Sequence, residues 1–132
     1  LLPSDTEGRA RVRALGQLVA CEIHPLNNLR VLKYLVNELS VDEEAKLGWY
    51  RHWIAEGFGA LETQLSWEAG SGDFCHGDTP SLADICLIPQ VYNAERFECD
   101  LSAYPAIRRI AANCRTLPAF AAAAPEAQPD AP

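Results

Sequence analysis

Residues 81–97 read SLADICLIPQVYNAERF, and this stretch decides the fold. Ser81 and Asp84 stand three apart ahead of an apolar run, which is the spacing of a capping box. In such a box the Ser81 hydroxyl accepts from the backbone N–H of Asp84, while the Asp84 carboxylate reaches back to the N–H of Ser81 and suits the positive end of the helix. Losing a cap of this kind costs roughly 0.5–2 kcal/mol. The helix that follows is apolar on nearly every side at first, so it should be the central, buried one. Pro89 lacks an N–H and should kink it. Arg96 closes the segment ahead of Phe97, a cation at the end of an otherwise apolar helix. It can complement the helix C-terminus, pair with Glu95 or Glu98, or stand as a fixed guanidinium at the rim of a cleft, ready for bidentate carboxylate binding.

Upstream, proline and glycine punctuate further helical blocks. Ser4 or Asp5 can cap a first helix whose apolar residues Val12, Leu15, Val19 and Ile23 recur at three- and four-residue steps. Pro25 interrupts it, and the pattern resumes after Asn27-Asn28 with Leu32, Leu35, Val36 and Leu39. The expectation is a long first helix kinked at Pro25, or two helices in near-continuation, with a polar corner at His24, Asn27, Asn28 and Arg30. Such a break exposes backbone groups, and amides beside an imidazole and a guanidinium suit an anionic, hydrogen-bonding ligand. The same corner can equally satisfy only its own backbone.

A second long amphipathic block runs from about Asp42 to Trp67, with Leu47, Ile54, Phe58, Leu61 and Leu65 as its inner stripe and Trp49, Tyr50 and Trp53 on one side. Gly70-Ser71-Gly72-Asp73 breaks it, and Phe74 to Pro80 reads as a compact loop. Beyond the central helix, Tyr104 to Thr116 forms another, with Ile107, Ile110 and Cys114 facing inward. Leu117 to Ala124 adds a short Ala-rich turn, and the tail PEAQPDAP should run extended along the surface. No strand-like alternation or repeat interrupts this reading. The fold class is all-α, a bundle of about five helices.

Composition narrows the function. With 132 residues the chain supports one domain, and 48% hydrophobic residues supply its core. A formal net charge of −7 argues against nucleic acid as a partner. No stretch approaches the ~18 apolar residues of a membrane helix. The chain starts at Leu1-Leu2-Pro3 without a Met, the expectation for a fragment or a processed chain. Five cysteines (Cys21, Cys75, Cys86, Cys99, Cys114) form no CxxC pair, so they read as reduced core or surface thiols of a cytoplasmic protein. Cys75-His76 has no second ligand pair nearby, so no metal is expected. His52 and His76 read as surface or packing residues, leaving His24 at the corner as the histidine of interest.

The segments CEIHPLNNLRVLKYL (21–35), GFGALE (57–62), FCHGDTPSLADICLIPQVYNAERF (74–97) and AAPEAQPDAP (123–132) together resemble zeta-class glutathione transferases. The capping box is common to glutathione transferases at large, whereas the HPLNN and NAERF segments are specific to the zeta class. The resemblance implies that residues 1–132 are the C-terminal helical domain, with an N-terminal thioredoxin-like domain, which activates the glutathione thiol, absent from the chain. It implies glutathione contacts at His24, Asn28, Leu29 and Arg30, and substrate binding by Arg96 with Arg30. No catalytic residue falls in this chain, which alone should be inactive. In some members Gln replaces His24 and Ser replaces Arg30. The implied activity is glutathione-dependent cis–trans isomerisation of maleylacetoacetate to fumarylacetoacetate in tyrosine and phenylalanine breakdown. Maleylpyruvate isomerisation in gentisate breakdown, or a non-catalytic dimerisation or scaffold role, are the alternatives. The family is homodimeric, which places a face carrying Leu15, Leu18 or Ile23 at an interface.

Overall fold

Six α-helices with short connections make up the described part of the chain, residues 1–67 and 70–131 of a computed structural model. They are α1 (Thr6–Gln17), α2 (Leu29–Asn37), α3 (Glu43–Trp67), α4 (Leu82–Arg96), α5 (Pro105–Arg115) and α6 (Pro118–Ala122). No strand occurs among the described residues, only an isolated bridge between Ser71 and Gly77. Pro132 of the tail lies outside the described residues.

The expected apolar stripes become the core. Val12, Leu15, Val19 and Ile23 meet Ile54, Phe58, Leu61 and Leu65 of α3, and α4 and α5 add Leu87, Val91, Ile107, Ile110 and Cys114. Each fully buried aliphatic or aromatic side chain of this set contributes roughly 1.5–3 kcal/mol. The close approach of α3 to the end of the first helical stretch needs Gly57, because a methyl there would collide with the Ile23 side chain.

The interruption at Pro25 is present, and its form is specific. Asp5 caps α1 by accepting from the Gly8 N–H at 2.7 Å. The helix widens into a π-helical turn over Leu18–Ile23, then breaks, and Asn28 caps α2 by accepting from the Arg30 N–H at 3.1 Å. The break is pinned to α3 by two bonds: the Asn27 amide donates to the Tyr50 carbonyl at 3.1 Å, and the Trp49 indole N–H to the Leu26 carbonyl at 2.9 Å.

The capping box at Ser81 forms as expected and grows into a larger knot. The Ser81 N–H and hydroxyl both donate to Asp84 Oδ2 at 2.7 Å, and the Cys75 N–H donates to Oδ1 at 2.9 Å. The Cys114 thiol approaches Oδ1 at 4.0 Å from α5. Asp84 is therefore a wholly buried carboxylate with donors from three parts of the chain. The compact loop before it is held by Arg11, which donates to the Cys75 carbonyl at 2.6 Å and to Ser71 Oγ at 2.8 Å, and by a left-handed turn at Gly77 (φ 63). Pro89 sits inside α4 on its exposed side, and the helix continues through it.

Three details differ from the sequence expectation. Val36 and Leu39 face solvent, at 39% and 56% exposure, while Leu32 and Leu35 make the buried face of α2. Leu15 and Ile23 are 1% exposed within the chain's own core, so of the face expected at an interface half-buried Leu18 alone remains accessible. The tail contains a 3-10 turn over Pro125–Ala127 in place of an extended run. Its fold-back is made by the Gln128 amide, which donates to the Ala122 and Ala124 carbonyls at 2.9 and 3.0 Å.

The start of α5 has no acceptor of its own at Tyr104, so Glu62 of α3 supplies one, receiving the N–H groups of Ala106 and Ile107 at 2.8 and 3.0 Å. Glu62→Ala should lower unfolding free energy in urea by about 1–2 kcal/mol, as for a lost cap. Asp84→Ala strips a buried network and should lower it by about 3 kcal/mol or more. Equal losses would show that the Asp84 knot is no more than a cap. Burial pushes the Cys114 thiol up to about 12 and, with Asp84 beside it, the Cys75 thiol higher still, so neither forms thiolate near pH 8. A disulfide-exchange reagent at that pH should label exposed Cys21 rapidly and reach Cys75 and Cys114 only after denaturant is added.

Candidate functional site

The break between the π-helical turn and α2 gathers four of the expected residues at one exposed corner. The Asn28 amide lies 3.4 Å from His24 Nε2, where it donates whenever that nitrogen carries no proton. The Asn28 carbonyl oxygen is already spent on the cap of α2. Leu29, 63% exposed, opens the first turn of α2, where helix geometry gives its N–H no intrahelical partner. The Arg30 side chain is exposed beside it. Asn27 turns the other way: it is buried, and its Oδ1 finds no partner among the described residues. The corner thus satisfies part of its own backbone and still presents an imidazole, an amide, an N–H and a guanidinium to solvent.

Arg96 occupies the last turn of α4 and is exposed. Its acidic neighbours have partners of their own. Glu95 holds Arg115 at 2.6 Å, and Glu98 faces Arg51 at 4.0 Å. Among the described residues Arg96 has no hydrogen bond or ion pair. Its charge acts instead on two phenols, those of Tyr50 and Tyr92.

Tyr50 links the two places. Its backbone carbonyl receives Asn27 from the corner, and its ring stacks on Phe97 with centroids 4.0 Å apart. Burial pushes its hydroxyl up to about 12, Cys99 adds to the rise, and a hydrogen bond from Gln90 and the Arg96 charge oppose it. The hydroxyl therefore stays neutral, fit to hold a neighbour and unfit to act as a base. The sequence marked Tyr50 only as part of an aromatic flank, since nothing in its local pattern reveals contacts made 40 residues away.

Two open grooves among the described residues lie elsewhere. One runs between α4 and α5 past Glu95, Arg108, Arg109 and Arg115, and the other lies beside Asp5, Arg11 and His76. Neither includes His24, Asn28, Arg30 or Arg96. No group of three or more His, Cys, Asp or Glu side chains is placed to hold a metal among the described residues, and no described helix is long and apolar enough to cross a membrane.

No protein-family model matches the chain. It is 54% identical over 131 residues to the probable maleylacetoacetate isomerase of Vibrio cholerae, covering 99% of this chain and 60% of that protein. The chain thus spans about three fifths of the length of that relative. Among solved structures, it superposes with a TM-score of 0.98 and 50% identity on the holo form of a maleylpyruvate isomerase, a bacterial glutathione S-transferase of the zeta class, covering 100% of this chain and 62% of that one. The maleylacetoacetate isomerase of Methylobacterium extorquens AM1, solved with bound malonate and GSH, matches with a TM-score of 0.96 and 43% identity over 100% of this chain and 62% of its own.

Proposed function

The chain belongs to the zeta-class glutathione transferases, among the maleylacetoacetate and maleylpyruvate isomerases, and on that premise we propose that it is the C-terminal, substrate-binding part of a glutathione-dependent isomerase converting maleylacetoacetate to fumarylacetoacetate. Residues 1–132 are then the helical domain of a longer polypeptide, preceded by a thioredoxin-like domain that activates the glutathione thiol. The observation that carries the reading is Arg96: an exposed guanidinium with no ion pair or hydrogen bond among the described residues, at the end of the central helix.

The corner at the helix break fits glutathione in kind. His24, Asn28 and the Leu29 N–H offer hydrogen bonds to a peptide backbone, and Arg30 offers a cation to a carboxylate. When bound, glutathione supplies a thiolate whose reversible addition to the cis double bond frees that bond to rotate. Arg96 holds one substrate carboxylate in bidentate fashion, and Arg30 takes a second carboxylate or the tripeptide. Negative charge that develops beside the substrate carbonyl meets these fixed cations, which need no reorganisation as the reaction proceeds. Maleylpyruvate is the second candidate substrate, favoured by the likeness to a maleylpyruvate isomerase.

The protein is assigned to the cytoplasm and to a homodimer. The exposed apolar residues Val36 and Leu39 of the α2 region are the surface that a second copy would cover. In the full-length protein, Arg96→Ala should reduce kcat/KM for maleylacetoacetate roughly thirtyfold or more, the equivalent of about 2 kcal/mol for a lost charged contact. Arg96→Lys should recover part of this, since a point charge replaces the fork. Activity of Arg96→Ala within a few-fold of wild type would remove the carboxylate role.

A further inference from the structure

We propose that the groove between α4 and α5 is a further anion site, separate from the polar corner and from Arg96, and that it takes a small organic dianion, carboxylate or phosphate, with an apolar body.

The groove has a volume of about 520 Å³, within the range of sites that hold small molecules. Three arginines line it, Arg108, Arg109 and Arg115, against one acid, Glu95. This local excess of cations runs against the chain as a whole, whose formal net charge is −7. The excess follows from the period of α5. Arg108, Ala112 and Arg115 recur at steps of four and three, so they form one stripe along the helix. The small side chain of Ala112 leaves room between the two guanidinium groups. The floor differs in kind, because Val91 of α4 and Ala111 of α5 also line the groove and are 1% and 2% exposed. A cleft with a cationic rim and an apolar base concentrates anions more than a flat surface does.

The three guanidinium groups play different parts. Arg115 is held by Glu95 at 2.6 Å, which balances its charge and fixes its direction. Arg109 donates to the Gly72 carbonyl at 2.5 Å, a neutral partner that orients the cation and leaves its charge uncompensated. Arg108 makes no hydrogen bond or ion pair among the described residues. With Glu95 set against Arg115, two cations remain for a ligand, which matches a dianion. Guanidinium forks receive carboxylate and phosphate oxygens in the same paired geometry, so both anion types qualify. The apolar floor adds affinity only for an anion that carries a ring or a short aliphatic chain.

Calorimetry on the full-length protein tests the site, with phthalate and phenyl phosphate as probes and inorganic phosphate as the reference. At least one organic dianion should bind with a Kd below about 1 mM, roughly threefold or more tighter than inorganic phosphate. The tighter of the two names the anion type. Arg108→Ala should weaken that binding about tenfold or more, as for a lost charged contact. Ala112→Leu removes no charge and should block binding by filling the space between the arginines. Glu95→Gln should tighten binding, since the groove then loses its one acid. Arg96→Ala should leave the affinity within about twofold, because Arg96 lies outside the groove. No binding of either probe at millimolar concentration, or affinity no better than that of inorganic phosphate, would overturn the proposal. Affinity kept in Arg108→Ala and Ala112→Leu but lost in Arg96→Ala would put the probes in the substrate site and overturn it as well.

Discussion

Asp84 carries a carboxylate wholly out of water at the start of α4, and much of the bundle is arranged around that burial. A buried carboxylate is tolerable only when donors replace its hydration shell. Ser81 supplies two, the loop supplies the Cys75 N–H, and α5 brings up the Cys114 thiol. The donors come from three places, so satisfying the carboxylate also fixes the loop, the helix start and α5 relative to one another. Arg11 of α1 then ties down the same loop through the Cys75 carbonyl. Helix α4, anchored in this way, is the rigid element on which Gln90, Tyr92 and Arg96 ride.

The second constraint is the helix break. A proline and two asparagines end one helix and begin another, and the freed backbone groups must find partners. Asn28 serves α2, while Asn27 and Trp49 bind the corner to α3. Tyr50 then passes this anchorage on, through its stacked ring, to Phe97 at the end of α4. The polar corner and the C-terminal end of α4 are thus linked through Tyr50 of α3.

How much of this was legible in the sequence depends on whether the signal was local. The capping box, the stripe of Val12, Leu15, Val19 and Ile23, and the inward face of α5 were all read correctly, because helical period and cap spacing are short-range patterns. The corner and Arg96 stood out for the same reason, as polar groups breaking an apolar rhythm. The π-helical turn left no mark, since its residues are as apolar as a regular helix would require. Glu62 capping α5 across 44 residues and the Tyr50 link are contacts between distant segments, and no periodicity announces them. Val36 and Leu39 were misread because the amphipathic stripe of a short helix is wider than the neighbour it packs on.

The most direct measurement joins this chain to its upstream coding sequence and follows maleylacetoacetate spectroscopically with glutathione present and absent. The account predicts isomerisation to fumarylacetoacetate that requires glutathione. A folded full-length protein that turned over no cis-dicarboxylate, or did so indifferently to glutathione, would contradict it.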